Sequence, residues 1–148
     1  MNMATVHDVS RTRPNVERVG RIEAIRRYVR LTVSCVMPVR PDHERRQEHR
    51  YPFPYAMLVK PADEHCNVIG EEPISIIGRH LSEQGFDFFS KEAIPHRYLI
   101  VSFPIGENQT AELLLNLNWC RFGHLGWYEN GGKFEQAVPT SPPARTPW

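Results

Sequence analysis

Arg45, Arg46 and Arg50 stand together in "ERRQEHR", residues 44–50. A guanidinium is a planar fork that donates paired hydrogen bonds to phosphate oxygens or to the O6 and N7 of guanine, and it also stacks on bases. Three of them within six positions either decorate a solvated surface or await a ligand with phosphates. About 30 residues on, "HLSEQG" (80–85) offers a second set of groups. Ser82 and Gly85 occupy the first and fourth positions of a tight turn. On its own the stretch reads as a hairpin loop between the second and third strands, and its interest lies in its pairing with the arginine segment.

The elements that must hold these groups are mostly strands. "FPYAMLVKP" reads as a strand whose beginning Pro52 and Pro54 confine to an edge. "EPISIIGRHLS" reads as the second strand and "GFDFFS" as the third, with Phe86 and Phe88 on one face and Asp87 on the other. "RYLIVSFPI" is the fourth. In "TAELLLNLNWCRF" the alternation places Leu113, Leu115, Leu117 and Trp119 on one face and Asn116 and Asn118 on the other. "ENGG" reads as a hairpin turn, since Asn and Gly tolerate positive φ, and "KFEQAV" as the last strand. Short alternating strands with turn residues between them and no long helix predict an antiparallel barrel or sandwich.

The ends read differently. Residues 1–14 read as disordered. From Pro14, placed for a first helical turn, Val16, Val19, Ile22 and Ile25 recur at helical spacing, which predicts a basic amphipathic helix over about residues 15–29. "RLTVSCVMPV" reads as a short strand or a linker. The chain divides into a basic N-terminal extension (1–43), a barrel (44–138) and a Pro-rich tail (139–148) with too little to pack. Net charge is only +1, but residues 1–50 hold 11 of the 18 basic residues, all Arg, against six acidic ones, so the arm carries an excess of five. This is a basic, largely helical or flexible arm on a mildly acidic body.

Order and spacing together are similar to the PilZ domain family of bacterial cyclic di-GMP receptors. That family carries Arg-x-x-x-Arg before its first strand and Asp/Asn-x-Ser-x-x-Gly after its second. Arg46 and Arg50 match the first motif, with Arg45 as the additional arginine; Ser82 and Gly85 match the second. "LNLNWCRF" and "GGKF" resemble the late strands, with Trp119 and Phe134 at the familiar positions, and the resemblance covers roughly residues 44–137. It implies a six-stranded antiparallel β-barrel. It also implies a cyclic di-GMP site in which Arg45, Arg46 and Arg50 face a lip formed by His80, Ser82 and Gly85, with the arginine segment ordered against the barrel on binding.

His80 departs from the pattern. An Asp or Asn there accepts hydrogen bonds from guanine N–H groups, whereas a neutral imidazole offers one acceptor and a charged one none. The expected loss is about 1.5–3 kcal/mol, roughly ten- to a hundred-fold in affinity, and His80→Asp is expected to recover it. The alternative is a degenerate PilZ-like barrel that serves as a protein-interaction module without nucleotide.

Other chemistries find little support. No nucleophile–base pair, paired carboxylates or phosphate-cradling Gly loop stands out, so the chain does not read as an enzyme. The histidines share no HxH or HxxxH spacing, and no metal site or cofactor is expected. An RNA-binding barrel would need aromatics between its basic residues, and no DNA or RNA partner is expected. Cys35, Cys66 and Cys120 include no CxxC pair, and no apolar run approaches the ~20 residues of a membrane span. These features fit a cytoplasmic receptor or adapter with an unidentified effector protein as partner. Cys120 reads as a small packing residue.

Overall fold

The computed structural model describes residues 4–36, 49–70, 72–123 and 125–139 of the 148-residue chain, with side chains of the first helix from residue 17 on. Arg45, Arg46 and the tail from residue 140 lie outside the described residues. A helix, α1 (Ala4–Val36), precedes seven strands: β1 (Tyr51–Pro52), β2 (Ala56–Ala62), β3 (Ile74–Leu81), β4 (Gly85–Ser90), β5 (Tyr98–Gly106), β6 (Gln109–Phe122) and β7 (Tyr128–Ala137).

Neighbouring strands run β3-β2-β5-β6-β7-β4, all antiparallel, and β4 pairs back onto β3. The sheet thus closes into the expected six-stranded antiparallel barrel, with no open edge running its whole length. β1 is a two-residue addition on the end of β3, at Leu81 and His80. Inside, Val59, Leu99, Val101, Leu113 and Leu115 from the regular strands meet Phe53, Phe86, Phe88, Phe103 and Phe134. The rings meet mostly edge to face, as with Phe86 and Phe103, whose centroids are 5.3 Å apart at 88°.

One stretch of the barrel wall also has a covered outer face. Ala62, Ile100 and Leu114 form a second buried cluster, with Tyr98, Cys66 and Val138 packed on it. The loop after β2 is held by Asp63, whose carboxylate accepts from the backbone N–H of His65 at 2.8 Å and of Asn67 at 2.9 Å. The Asn67 N–H is the main cause of an Asp63 pKa below the ordinary carboxylate value. Burial, helped by the Asp63 charge, pushes the Cys66 thiol up.

Three expectations need correction. α1 spans 33 residues rather than 15–29, taking in part of the segment read as disordered and "RLTVSCV", read as strand or linker. Tertiary packing overrides the β-branched propensity there. Ile25, Val29 and Val33, four apart, join the barrel's interior cluster. The hydroxyls of Thr32 and Ser34 are satisfied by the carbonyls of Tyr28 and Arg30, each at 2.9 Å. Pro14 therefore sits inside the helix, where its missing N–H removes one backbone bond. Of the apolar residues that predicted the helix, Ile25 is buried, whereas Val19 and Ile22 are exposed.

The second correction is the hairpin. Glu129–Gly132 lie within β7, and β6 ends at Phe122, after which Gly123 N–H donates to the Trp127 carbonyl at 2.7 Å and Gly126 takes φ +79°. The two glycines of "ENGG" answer a different need, given below. The third is Cys120, which is exposed on β6 rather than packed.

Candidate functional site

The turn between β3 and β4 starts the site. Ser82 Oγ accepts from the N–H of Gly85 at 3.1 Å and of Gln84 at 3.3 Å, and the Ser82 N–H donates to the Gly85 carbonyl at 2.9 Å. The serine hydroxyl thus builds the turn as well as lining what lies beside it. A Cβ on Gly85 would fall on the Gly132 carbonyl oxygen, so glycine is required here by the close approach of β7.

The turn fixes the register beyond it. Leu81 pairs with Phe86, and His80 with Asp87. Two β-bulges then decide which side chains face outward. On β3, Gly78 opposes Phe88 and His80 opposes Asp87, so Arg79 is an extra residue. On β6, Leu117 opposes Gly132 and Trp119 opposes Gly131, so Asn118 is extra. Each bulge turns the next side chain to the other face of the sheet. Trp119 therefore leaves the face of Leu113, Leu115 and Leu117 on which simple alternation places it.

The result is a lateral row across four strands: His80 on β3, Asp87 on β4, Gly131 on β7 and Trp119 on β6. Phe86 and Phe88, on either side of Asp87, are buried in the core, so the row faces outward. A Cβ at Gly131 would run into the Trp119 indole, so the glycine leaves the place where that ring lies across β7. The Arg121 guanidinium stands 5.3 Å from the Trp119 ring.

Around this row is a groove of about 200 Å³ lined by Arg50, His80, Ser82, Gly85, Asp87, Trp119 and Lys133, among others. Four of the six residues expected at the site, Arg50, His80, Ser82 and Gly85, thus come together, although Arg50 is 30 residues from His80. Arg45 and Arg46 lie outside the described residues. Sequence reasoning passed over Asp87, Asn118 and Lys133 and gave Trp119 to the wrong face.

The electrostatics are mixed. Arg50 and Lys133 bring positive charge to the groove and Asp87 brings negative. His80 Nδ1 lies 3.3 Å from Asp87 Oδ1 and 3.4 Å from Oδ2, straddling the carboxylate at the long end of hydrogen-bond range. Oδ1 is buried and receives no aligned hydrogen bond. At the turn's far side, Glu83 accepts from Arg30 of α1 at 2.7 Å, tying helix to turn. A site with arginine, lysine, a carboxylate that has one unsatisfied oxygen, and an indole face can bind an anionic, aromatic ligand that also presents N–H donors.

No protein-family model matches the chain, and no curated protein matches it either. Among solved structures it is similar to the Bacillus subtilis inhibitor of motility (MotI/DgrA), with a TM-score of 0.47 and 14% identity over 67% of this chain and 49% of that one. The match thus takes in about half the length of that protein.

Proposed function

We propose that the chain is a receptor for cyclic di-GMP, a binding protein of bacterial second-messenger signalling built on a PilZ-like barrel. The observation that carries this reading is the convergence of Arg50 with the Ser82–Gly85 turn at one groove, beside Trp119 and Lys133. Arg50 donates to phosphate or guanine, the turn forms the opposing lip, and the indole gives a base a flat surface to rest on. At about 200 Å³ the groove is smaller than the ~300 Å³ at the low end of small-molecule sites. It admits one base and its phosphate, and Arg45 and Arg46 would close over the remainder of the ligand. Ordering that segment is the signal, and an effector protein in the cytoplasm reads it.

The test is titration calorimetry of the full chain with cyclic di-GMP, repeated on Arg46→Ala and Arg50→Ala. Binding that both substitutions abolish or strongly weaken supports the receptor. A folded wild-type protein that takes up no ligand overturns it. That outcome favours the second reading, a protein-interaction barrel, for which the exposed side chains of Phe122 and Leu125 at the β6–β7 hairpin provide the supporting observation.

A further inference from the structure

The geometry points to Asp87 as the residue that reads the base. This assignment rests on the receptor reading above and names which group of the site gives it its selectivity. Among the described residues that line the groove, Asp87 is the one carboxylate. It sits mid-row, between His80 on one side and the space over Gly131 that Trp119 fills on the other.

Its chemistry is unfinished. One oxygen, Oδ1, is buried with no aligned donor, and a buried carboxylate oxygen left in that state is costly. The neighbouring imidazole cannot complete it. A single Nδ1 at 3.3 and 3.4 Å from the two oxygens orients the carboxylate without saturating it. What fits an oriented carboxylate is a pair of parallel N–H donors. Guanine carries such a pair in N1–H and the 2-amino group, whereas adenine lacks both. The acceptor absent at position 80 is thus supplied by the residue directly across the hairpin, and His80 becomes its positioning residue.

This reverses the expectation for position 80. An aspartate there would face Asp87 across the strand pair, and like charges directly opposite repel. His80→Asp should therefore weaken binding of cyclic di-GMP, where a recognition role for position 80 itself would strengthen it.

The experiment compares cyclic di-GMP and cyclic di-AMP on the full chain by calorimetry, with thermal melts to check folding. Wild type is expected to prefer the guanine ligand. Asp87→Ala should lower cyclic di-GMP affinity about ten- to a hundred-fold and leave cyclic di-AMP unchanged, so that the preference collapses. Asp87→Asn, which keeps the shape of the side chain, should do the same if the alanine variant folds poorly. Arg50→Ala should weaken both ligands equally. If both Asp87 variants keep the wild-type preference, or lose the two ligands in equal measure, the assignment is wrong while the receptor reading stands. If His80→Asp gains affinity, recognition belongs to position 80 and the assignment again fails. If the wild type binds neither dinucleotide, the receptor reading falls and takes this assignment with it.

Discussion

Two stretches of the barrel's outer surface have been put to opposite uses. Where β2, β5 and β6 run side by side, the β2–β5 register is unbroken and β5–β6 pairs without a shift from Tyr98 to Pro104, the shift at Leu114/Leu115 falling on the side of β7. The outer face of that stretch is apolar: Ala62, Ile100 and Leu114 are buried under the loop after β2 and Val138. Where β3, β4, β7 and the far half of β6 meet, two bulges interrupt the pairing, Gly78, Gly85, Gly131 and Gly132 stand where a Cβ would clash, and the outer face holds His80, Asp87 and Trp119 in an open groove. Regular pairing with apolar cover contributes stability. Irregular pairing with backbone brought close contributes aim, because a bulge redirects one side chain without moving the strand.

The sharpest way to break this division is to cut into the covered stretch. Leu114→Ala should cost about 2–5 kcal/mol of folding stability in urea unfolding, since Leu114 is 1% exposed, and should leave ligand affinity in the folded protein unchanged. Arg50→Ala is the converse. It should cost about 1.5–3 kcal/mol in cyclic di-GMP binding by calorimetry, with no change in melting temperature. Gly131→Ala blurs the division, because the added methyl runs into the indole of Trp119 and one of them must move. It should lose about 1–3 kcal/mol of stability, shift Trp emission and weaken the ligand together. Arg30→Ala is the mildest. The Arg30–Glu83 pair is 2.7 Å long, but the arginine side chain is 60% exposed, so the loss should be about 0.2–1 kcal/mol and shrink in high salt.

The covered stretch was the more legible of the two. Alternation in "RYLIVSF" and "AELLLN" identifies the strands and the inward set Leu99, Val101, Leu113 and Leu115, because an unbroken period of two carries through the whole segment. In the site, alternation counts correctly only as far as each bulge. Arg79 and Asn118 are unremarkable in sequence, and the extra residue at each is set by pairing with β4 and β7, not by local propensity. That is why Trp119 was counted with the leucines. Gly131 and Gly132 signal a turn by composition, yet they are in β7 because an indole and the Asn116 backbone occupy the volumes their side chains would need. Asp87, by contrast, was within reach. A tight turn from Ser82 to Gly85 puts Leu81 opposite Phe86 and therefore His80 opposite Asp87, a pairing that turn chemistry alone implies. The middle of α1 was legible, but its last turns escaped because Thr32 and Val33 favour strands locally, and only their burial makes them helical.

The anchorage of α1 has a mechanical side. Residues 17–23 are exposed, whereas Ile25, Val29 and Val33 are held in the core cluster. Among the described side chains, seven residues of helix, some 10 Å at 1.5 Å each, thus lie beyond that grip. Such a rod works as a pointer. Each degree of tilt about Ile25 carries that end about 0.2 Å sideways, and the clasp of Arg30 on the rim of the groove ties the tilt to the site.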